Sequence, residues 1–247
     1  KYCEQMFEIR NSGKAYEENV ELTGFGLASK KAEGASVTYD SESQGPVTRY
    51  THSVYSLGYI VTEEEQDDNL YMEVSKARSE ALAFSMYTTK EIVAANVYNR
   101  AFNSSYTGGN GVEMISTAQV TEDGTQSNHI AVAADLSEAS LEDILVQIGK
   151  AKNTRGLEIG IRGKQLIIPV DLQFEAQRIL KSTLQSGTAN NDINAVRDMG
   201  LLPEGFMANP YLSDTDAWFV STNCPNGTIG FMRKALSFTR DNDFDTS

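Results

Sequence analysis

The longest helical periodicity in the sequence lies between Leu70 and Phe102. Apolar residues recur there at spacings of three and four, as an amphipathic helix requires, at Leu70, Val74, Ala77, Ala81 and Phe84. The pattern resumes at Ile92, Ala95, Asn99 and Phe102, with the polar Asn99 on the same face. Neither Gly nor Pro interrupts this stretch, which would form a helix about 50 Å long. The pattern predicts either a break near Thr88 and Thr89 or one long spine across a flat domain, with Ala81 on its buried apolar face.

The first part of the chain alternates apolar and polar residues in short patches separated by glycine. From Gly13 to about Pro46, these patches predict two long strands joined by a polar turn near Lys30 to Gly34. Few large apolar residues lie there, so this excursion has little core of its own and needs cover. Tyr50 to Val61 predicts a further strand. Thr62, with Glu65 three residues later, predicts the capping box of a following helix.

The second half of the chain predicts alternating helices and strands, so the fold class is α+β. Leu166 to Val170 is a continuous apolar run, typical of a buried central strand. Ser137 or Ser140 predicts a helix N-cap, and Pro169 predicts the first turn of another helix. The predicted elements are short strands over 112–129 with a turn at 122–124, a helix over 139–150, a strand over 157–170, a helix from 169 to 180 or 184, a helical turn over 192–199, and strands over 207–211 and 218–221.

Composition and charge narrow the function. The 247 residues can bury a core, and 34 acidic against 21 basic residues give a net charge of −13. This charge argues against a protein that binds nucleic acids or anionic membranes, because proteins bind both through clustered Lys and Arg. No apolar run approaches the roughly 18 to 20 residues of a membrane-spanning helix. Cys3 and Cys224 are too few for a disulfide framework or a cysteine zinc site. The histidine of a catalytic triad could come only from His52 or His129.

Motifs that carry chemistry are weak. Gly24-Phe25-Gly26 resembles the beginning of a dinucleotide fingerprint but lacks the third glycine, so two glycines that bend a ribbon explain it better. Asp214 and Asp216 are expected as turn residues before a strand, and Trp218 as a core aromatic. No nucleophile elbow, Walker loop, Cys-x-x-Cys or His-Glu-x-x-His is present. We therefore predict no catalytic, cofactor-binding or metal-binding residues and no cofactor.

Three aspartates near the end of the chain keep one enzymatic alternative open. Asp241, Asp243 and Asp245 alternate as in the first half of a calcium loop, but Thr246 stands where that loop needs Gly. A solvated, negatively charged strand end is the better interpretation. A metal-dependent hydrolase that uses these three carboxylates is the alternative from a different functional class.

Both ends of the sequence look trimmed. The chain begins at Lys1 without a signal segment, and it stops soon after an apolar alternation at Phe231, Ala235, Leu236 and Phe238. No returning partner strand follows this alternation, so we expect the natural chain to continue. An uncovered ribbon, a long helix and no chemical site together predict that the protein completes its burial against copies of itself.

Several short strings lie in a recognisable order along the whole chain. They are Tyr50-Thr51-His52, Leu57-Gly58-Tyr59, Val61-Thr62-Glu63-Glu64, Asp68-Asn69-Leu70-Tyr71, Ala101-Phe102-Asn103, Ala134-Asp135-Leu136-Ser137, Asn191-Asp192-Ile193-Asn194-Ala195, Pro210-Tyr211-Leu212, Asp216-Ala217-Trp218-Phe219 and Arg240-Asp241-Asn242-Asp243-Phe244-Asp245. Each string alone is weak. In this order they resemble the major capsid proteins of tailed bacteriophages, which share the Hong Kong phage head fold.

The resemblance implies a division of the chain. Residues 1–14 would be the end of an N-terminal arm, 15–60 an extended β-hairpin loop over a neighbouring subunit, 61–133 a peripheral domain with a long spine helix, 134–226 an axial α/β domain, and 227–247 the return to the peripheral domain. In the family the final strand pairs with another beyond it, which this sequence lacks.

The resemblance also implies a structural, non-enzymatic role. Copies of the chain would form the hexamers and pentamers of an icosahedral head that encloses DNA without sequence-specific binding and without a membrane. Scaffold, portal and decoration proteins are the implied partners, and the virion, assembled in the cytoplasm of the bacterial host, is the implied location. A bacterial nanocompartment shell of the same fold is the alternative. Lys14, Lys30 and Lys31 lie where some relatives cross-link Lys to Asn, but no partner Asn can be placed and no cross-link is predicted.

Overall fold

The computed structural model describes residues 1–68, 71–185 and 192–239. The helices in this part of the chain are α1 Cys3–Met6, α2 Glu63–Asp67, α3 Tyr71–Asn99, α4 Glu138–Gly149, α5 Gln173–Lys181 and α6 Ala195–Asp198. The strands are β1 Glu8–Asn11, β2 Tyr16–Leu22, β3 Gln44–Thr51, β4 Gln119–Thr121, β5 Gly124–Gln126, β6 Gly163–Pro169, β7 Phe206–Asn209, β8 Phe219–Thr222 and β9 Ile229–Met232. The predicted α+β class is confirmed.

Strand β6 lies at the centre of a three-stranded sheet of order β7-β6-β8. It is parallel to β7 and antiparallel to β8. Leu166, Ile167 and Ile168 are each 0% exposed, which confirms the predicted buried central strand. Because successive side chains of a strand point to opposite faces, Leu166 and Ile168 enter one core cluster and Ile167 enters another.

The two core clusters join the sheet to different helices. On the first face, the sheet packs against α4, α5 and α6 through Leu141, Ile179 and Val196. On the second face, it packs against the end of α3, where the Tyr98 ring makes an edge contact with Phe219 at 5.1 Å between centroids. The sheet is therefore covered on both faces, as a strand with a continuous apolar run requires.

Local start signals around the first core are confirmed in detail. Ser137 is the N-cap of α4, because its Oγ accepts a hydrogen bond from the N–H of Ser140 at 3.1 Å, and Ser140 Oγ accepts one from the N–H of Ser137 at 2.9 Å. The Trp218 indole donates to the carbonyl of Ala134 at 3.1 Å, and its ring packs against the first cluster.

A single 3-10 turn, Val170–Leu172, separates β6 from α5, so the helix predicted from Pro169 begins later than expected.

Helix α3 runs unbroken through Thr88 and Thr89, which decides between the two predicted forms in favour of one long helix. Its burial differs from the expectation. Ala95 is 0% exposed, whereas Ala77 and Ala81 are exposed and Phe84 is 71% exposed. The prediction that Ala81 is buried was wrong because periodicity identifies an apolar face but not what covers it. Among the α3 side chains that the structure describes, the first buried one is Glu91. The start of the pattern, Leu70, lies outside the described residues.

The predicted strand over Tyr50 to Val61 was also wrong. Only its first two residues belong to β3, and within the described residues no strand pairs with 52–61. A strand needs a partner ladder, and here Val54 is 91% and Ile60 87% exposed. Tyr59 instead lies along α3, with its hydroxyl 2.8 Å from Ser79 Oγ.

The signal that starts the next helix is half confirmed. Thr62 Oγ1 accepts a hydrogen bond from the N–H of Glu65, as predicted, and α2 begins at the next residue. The Glu65 carboxylate forms two hydrogen bonds with the Arg78 guanidinium, at 2.8 and 2.9 Å. This ion pair therefore links α2 to α3. Glu65 makes it in place of the predicted reciprocal hydrogen bond of a capping box, from the N–H of Thr62 to the Glu65 carboxylate.

The predicted two-stranded excursion exists, with shifted bounds. Strands β2 and β3 pair antiparallel from Tyr16↔Thr51 to Leu22↔Gln44. Beyond this ladder, residues 23–43 form a loop whose chain reverses at Glu33 and Gly34, within the predicted turn. Gly24 has a φ of +67°, a conformation that glycine adopts without steric cost. We call residues 23–43 the tip loop.

Strand β9 has a partner within this chain that the sequence pattern did not predict. Strand β9 pairs in parallel with β1, with Ile229 opposite Glu8 and Met232 opposite Asn11. The partner lies more than 200 residues earlier in the sequence, so the residues that follow Phe238 give no sign of it. The remaining short predictions hold: β4 and β5 enclose the turn at 122–124, and α6, β7 and β8 fall in their predicted regions.

Glu91 joins the N-terminal segment to α3. Its side chain is 1% exposed, and its carboxylate accepts hydrogen bonds from the N–H of Cys3 at 2.8 Å and from the amino group of Lys1 at 2.7 Å. Although burial alone raises the pKa of Glu91, these bonds and one from Tyr87 hold that pKa below its ordinary value. The carboxylate is therefore better stabilised in the folded chain than in the unfolded chain.

Two alanines on α3 provide a matched test of its burial. Ala95→Asp should lower the free energy of unfolding by about 3 to 5 kcal/mol, because it buries an unpaired charge. Ala81→Asp should lower it by only about 1 kcal/mol or less, the difference in helix propensity, since the side chain meets water. Urea denaturation of the two variants measures both values. Equal losses would contradict the exposure of the first half of α3.

Glu91→Gln should lower the free energy of unfolding by about 1 to 3 kcal/mol at pH 7. Because the folded pKa of Glu91 is lowered, the stability that it contributes is present above its unfolded pKa of about 4.3 and is lost as pH falls through the folded pKa. The stabilities of wild type and variant should therefore converge in acid. Glu80→Gln, at an exposed position on the same helix, is the control and should match wild type at every pH.

Candidate assembly surface

The chain exposes far more surface than a compact protein of its size. Its accessible surface is 16936 Å², whereas a compact monomer of 27.1 kDa exposes about 10,800 Å². The surplus of about 6,000 Å² exceeds several times the roughly 800 Å² that a standard protein interface buries on each partner. A functional surface should therefore be sought among the uncovered parts of the chain.

Exposed apolar side chains concentrate in three neighbouring parts of the sequence. In the tip loop they are Phe25, Leu27, Val37 and Tyr39; in the segment 52–61 they are Val54, Tyr55, Leu57 and Ile60; on α3 they are Phe84, Tyr87, Ile92, Val93 and Val97. We call these three sets together the apolar surface. Leu27 and Tyr39 are 85% and 92% exposed. Exposed apolar side chains in such number are typical of interaction sites on soluble proteins.

The hairpin below the tip loop is held by cross-strand pairs. Glu18 and Arg49 lie opposite each other in the ladder, and their charged groups approach to 2.6 Å. The same guanidinium lies over the Tyr16 ring, 4.4 Å from its centroid. Such pairs support a ladder that has little apolar cover.

The hairpin also packs against its own subunit at Gly109. A Cβ on Gly109 would lie 2.4 Å from Thr48 Oγ1 and 2.8 Å from the carbonyl oxygen of Val47. The backbone around Gly109 therefore approaches β3 more closely than any other residue type allows. This contact supports the base of the hairpin and leaves the tip loop to project.

The sheet region has smaller exposed apolar positions of its own. Helix α5 buries Ala176, Ile179 and Leu180 against the sheet, while Phe174 on its other side is 70% exposed. Met199 and Ile193, beside α6, are 69% and 67% exposed. These side chains indicate a second, separate contact area on the part of the chain built around β6.

The candidate lysines of the hairpin occupy two environments. Lys30 and Lys31 are exposed in the tip loop. Lys14 lies at the base, where its Nζ is 3.0 Å from Glu17 Oε2. The structure therefore does not bring the three lysines together.

The other candidate motifs show no assembled chemical site. Asp214 and Asp216 form the expected turn before β8; a hydrogen bond between their carboxyl groups raises the pKa of Asp216 and lowers that of Asp214. Among the described residues, no group of three or more His, Cys, Asp or Glu side chains could hold a metal ion. Asp241, Asp243 and Asp245 lie outside those residues. Cys3 and Cys224 are free thiols.

Two clefts flank the β4–β5 hairpin, with volumes of about 490 and 620 Å³. Both are open to solvent. The first is lined mainly by polar groups, whereas the second exposes more apolar than polar surface, with Val146 and Ile159 among its exposed apolar residues. Neither contains a pair of catalytic groups. Over the residues that the structure covers, no helix has the length and apolar character to cross a bilayer.

Comparisons with known proteins agree on one kind of relative. The family model of the phage capsid protein family matches residues 46–246. The capsid of bacteriophage JBD30, decorated with minor capsid protein trimers, has a chain that superposes with a TM-score of 0.63 at 12% identity, over 86% of this chain and 90% of that one. A second structure of the bacteriophage JBD30 capsid gives a TM-score of 0.65 at 12% identity, over 86% and 91%. Among curated proteins, no sequence matches significantly.

Sequence reasoning missed most of the apolar surface for one reason. It assigned 52–61 to a strand and Ala81 to a core, so it treated as internal the residues that this chain leaves uncovered. Their exposure is visible only when the neighbours of each element are known. The one signal available in the sequence was the scarcity of apolar residues between Gly13 and Pro46.

Phe84→Ser should weaken self-association without weakening the fold. The Phe84 side chain is 71% exposed, so its loss should change the free energy of unfolding by less than about 0.5 kcal/mol. Analytical ultracentrifugation should show a shift from large species to single chains. Glu80→Ser, an exposed neighbour on the same helix, should leave both properties unchanged. A large loss of stability in Phe84→Ser would mean that this side chain is core.

Proposed function

This chain belongs to the phage capsid protein family, and we propose that it is the major subunit of an icosahedral head, forming hexamers and pentamers that enclose DNA. The observation that carries the proposal is the surplus of about 6,000 Å² of accessible surface with its apolar surface. A closed shell gives each subunit several neighbours through repeated contacts. Such contacts can cover surface that a single chain leaves exposed.

We infer the division of labour along the chain from the same relationship. Residues 15–60 form the extended loop that lies over a neighbouring subunit, 61–133 the peripheral domain with α3 as spine, and 134–226 the axial domain around β6. Residues 227–247 return to the peripheral domain. The pairing of β9 with β1 supports this division, because it brings the return segment to residues 1–14, the end of the N-terminal arm.

The charge of the chain suits an enclosing role. A net charge of −13 repels DNA phosphates, so a shell of such subunits would enclose a genome without binding it tightly. Scaffold, portal and decoration proteins are the proposed partners, and the decoration of the related JBD30 capsid supports the last of these. We place the protein in the virion, after assembly in the cytoplasm of its bacterial host.

Replacement of residues 24–46 by a short Gly-Ser linker tests the proposal. The tip loop contributes little to either core cluster, so the shortened chain should keep its circular dichroism spectrum and its unfolding temperature within a few degrees. It should fail to form shells, because a contact repeated around every axis is lost. Light scattering and negative-stain microscopy follow assembly.

Four outcomes would contradict different parts of the proposal. An unfolded shortened chain would make the loop part of the core, and a shortened chain that assembles normally would remove the loop from the contacts. Wild-type protein that forms no closed shells under any assembly condition would overturn the proposed function. Shells that co-purify with protein cargo and without DNA would favour a nanocompartment over a phage head.

A further inference from the structure

Arg155 stands on a rigid turn next to the tip loop. Asn153 closes this turn: its side-chain oxygen accepts hydrogen bonds from the N–H groups of Arg155 and Leu157 at 3.0 and 2.8 Å. The turn is docked on the β4–β5 hairpin, because the N–H of Asp123 donates to the carbonyl of Thr154 at 3.1 Å. Gly156, with a φ of +79°, lies so close to Asp123 that a Cβ would clash with its carboxylate. The position of the Arg155 backbone is therefore well defined.

The Arg155 guanidinium reaches both legs of the tip loop at once. Its Nη2 donates to the carbonyl of Ser41 at 2.7 Å, and its Nε donates to the carbonyl of Gly24 at 3.4 Å. Carboxylate oxygens of Asp40 and Glu122 lie 3.5 Å from the same group. The side chain is 23% exposed, so water screens these contacts less than those of a surface ion pair.

The loop is cross-braced at the same level. Beyond the end of the β2–β3 ladder, Thr23 and Ser43 exchange backbone and hydroxyl hydrogen bonds of 3.0 to 3.1 Å. Asp40 accepts from the N–H of Gly26 at 2.8 Å, and hydrogen bonds from that backbone and from Ser41 lower the pKa of Asp40. Ser43 Oγ also donates to Glu122 at 3.1 Å. The two legs and the β4–β5 turn thus meet around one arginine.

We propose that Arg155 is a clasp that sets the direction in which the tip loop leaves its own subunit before a neighbour arrives. This inference rests on the proposed function, in which the loop contacts a neighbouring copy. A loop that is already oriented loses less conformational freedom when it docks, which strengthens each contact. The planar fork of an arginine can bind two carbonyls and two carboxylates together, which the single ammonium of a lysine cannot do. Arg155 is a positioning residue for assembly.

Hydrogen–deuterium exchange of the isolated subunit tests the clasp directly. In Arg155→Ala, the amides of Thr23, Gly26, Ser41 and Ser43 should exchange about tenfold faster, the effect of losing charge-assisted hydrogen bonds. Amides of β6 should not change. Arg155→Lys should fall between the two, and Arg162→Ala, which removes a nearby exposed arginine, should match wild type.

Assembly kinetics give a second readout. Arg155→Ala should form shells about tenfold more slowly than wild type or Arg162→Ala when light scattering is followed at equal concentration. Unchanged exchange in the tip loop would overturn the clasp, and so would faster exchange throughout β6, which would make Arg155 a support of the fold. Faster loop exchange with normal assembly would overturn its role in positioning. Failure of wild type to assemble would overturn the proposed function and leave the exchange result valid.

Discussion

Strand β6 is the element on which the rest of the molecule depends. Leu166 and Ile168 face helices α4, α5 and α6, while Ile167 between them faces the end of α3. Because side chains alternate across a strand, a single run of three apolar residues joins two cores that otherwise share little. The region around β6 and the long helix therefore form one rigid unit. A substitution at Ile167 would disturb side-chain packing on both faces of the sheet.

The same arrangement explains why so much surface is left over. Only the second core cluster reaches α3, through Tyr98 near the end of the helix. Among the α3 side chains that the structure describes, the first buried one is Glu91, so the preceding part of the helix extends beyond the core. The hairpin projects in its own right, held by polar cross-strand pairs and by the close approach at Gly109. A chain with a concentrated core and long uncovered extensions gains further burial only from outside.

What the sequence could predict follows from the range of the interactions involved. Signals that act within a few residues were interpreted correctly: the cap at Ser137, the start of α2 at Thr62, and the buried run of β6. The larger failures concern partners distant in the sequence. Residues 52–61 have strand-like composition but no ladder, Ala81 has an apolar face but no cover, and β9 has a partner in β1 more than 200 residues earlier. The local sequence pattern predicts which elements need cover or a partner strand. Only the fold shows whether this chain provides that cover or that partner.

Distribution of the surplus surface also bears on how a shell can form without errors. If about 6,000 Å² is divided among six to eight neighbours, each contact buries roughly 750 to 1,000 Å² of this chain, close to the roughly 800 Å² that a standard interface buries on each partner. Because buried area of that size does not by itself give a tight affinity, weak individual contacts let a misplaced subunit leave before further neighbours trap it. A correctly placed subunit gains all its contacts together and is retained by their combined strength. A stiff body around β6 with separate, modest contact areas on the tip loop, on α3 and beside α5 meets both requirements, because each area can engage or release without disturbing the core.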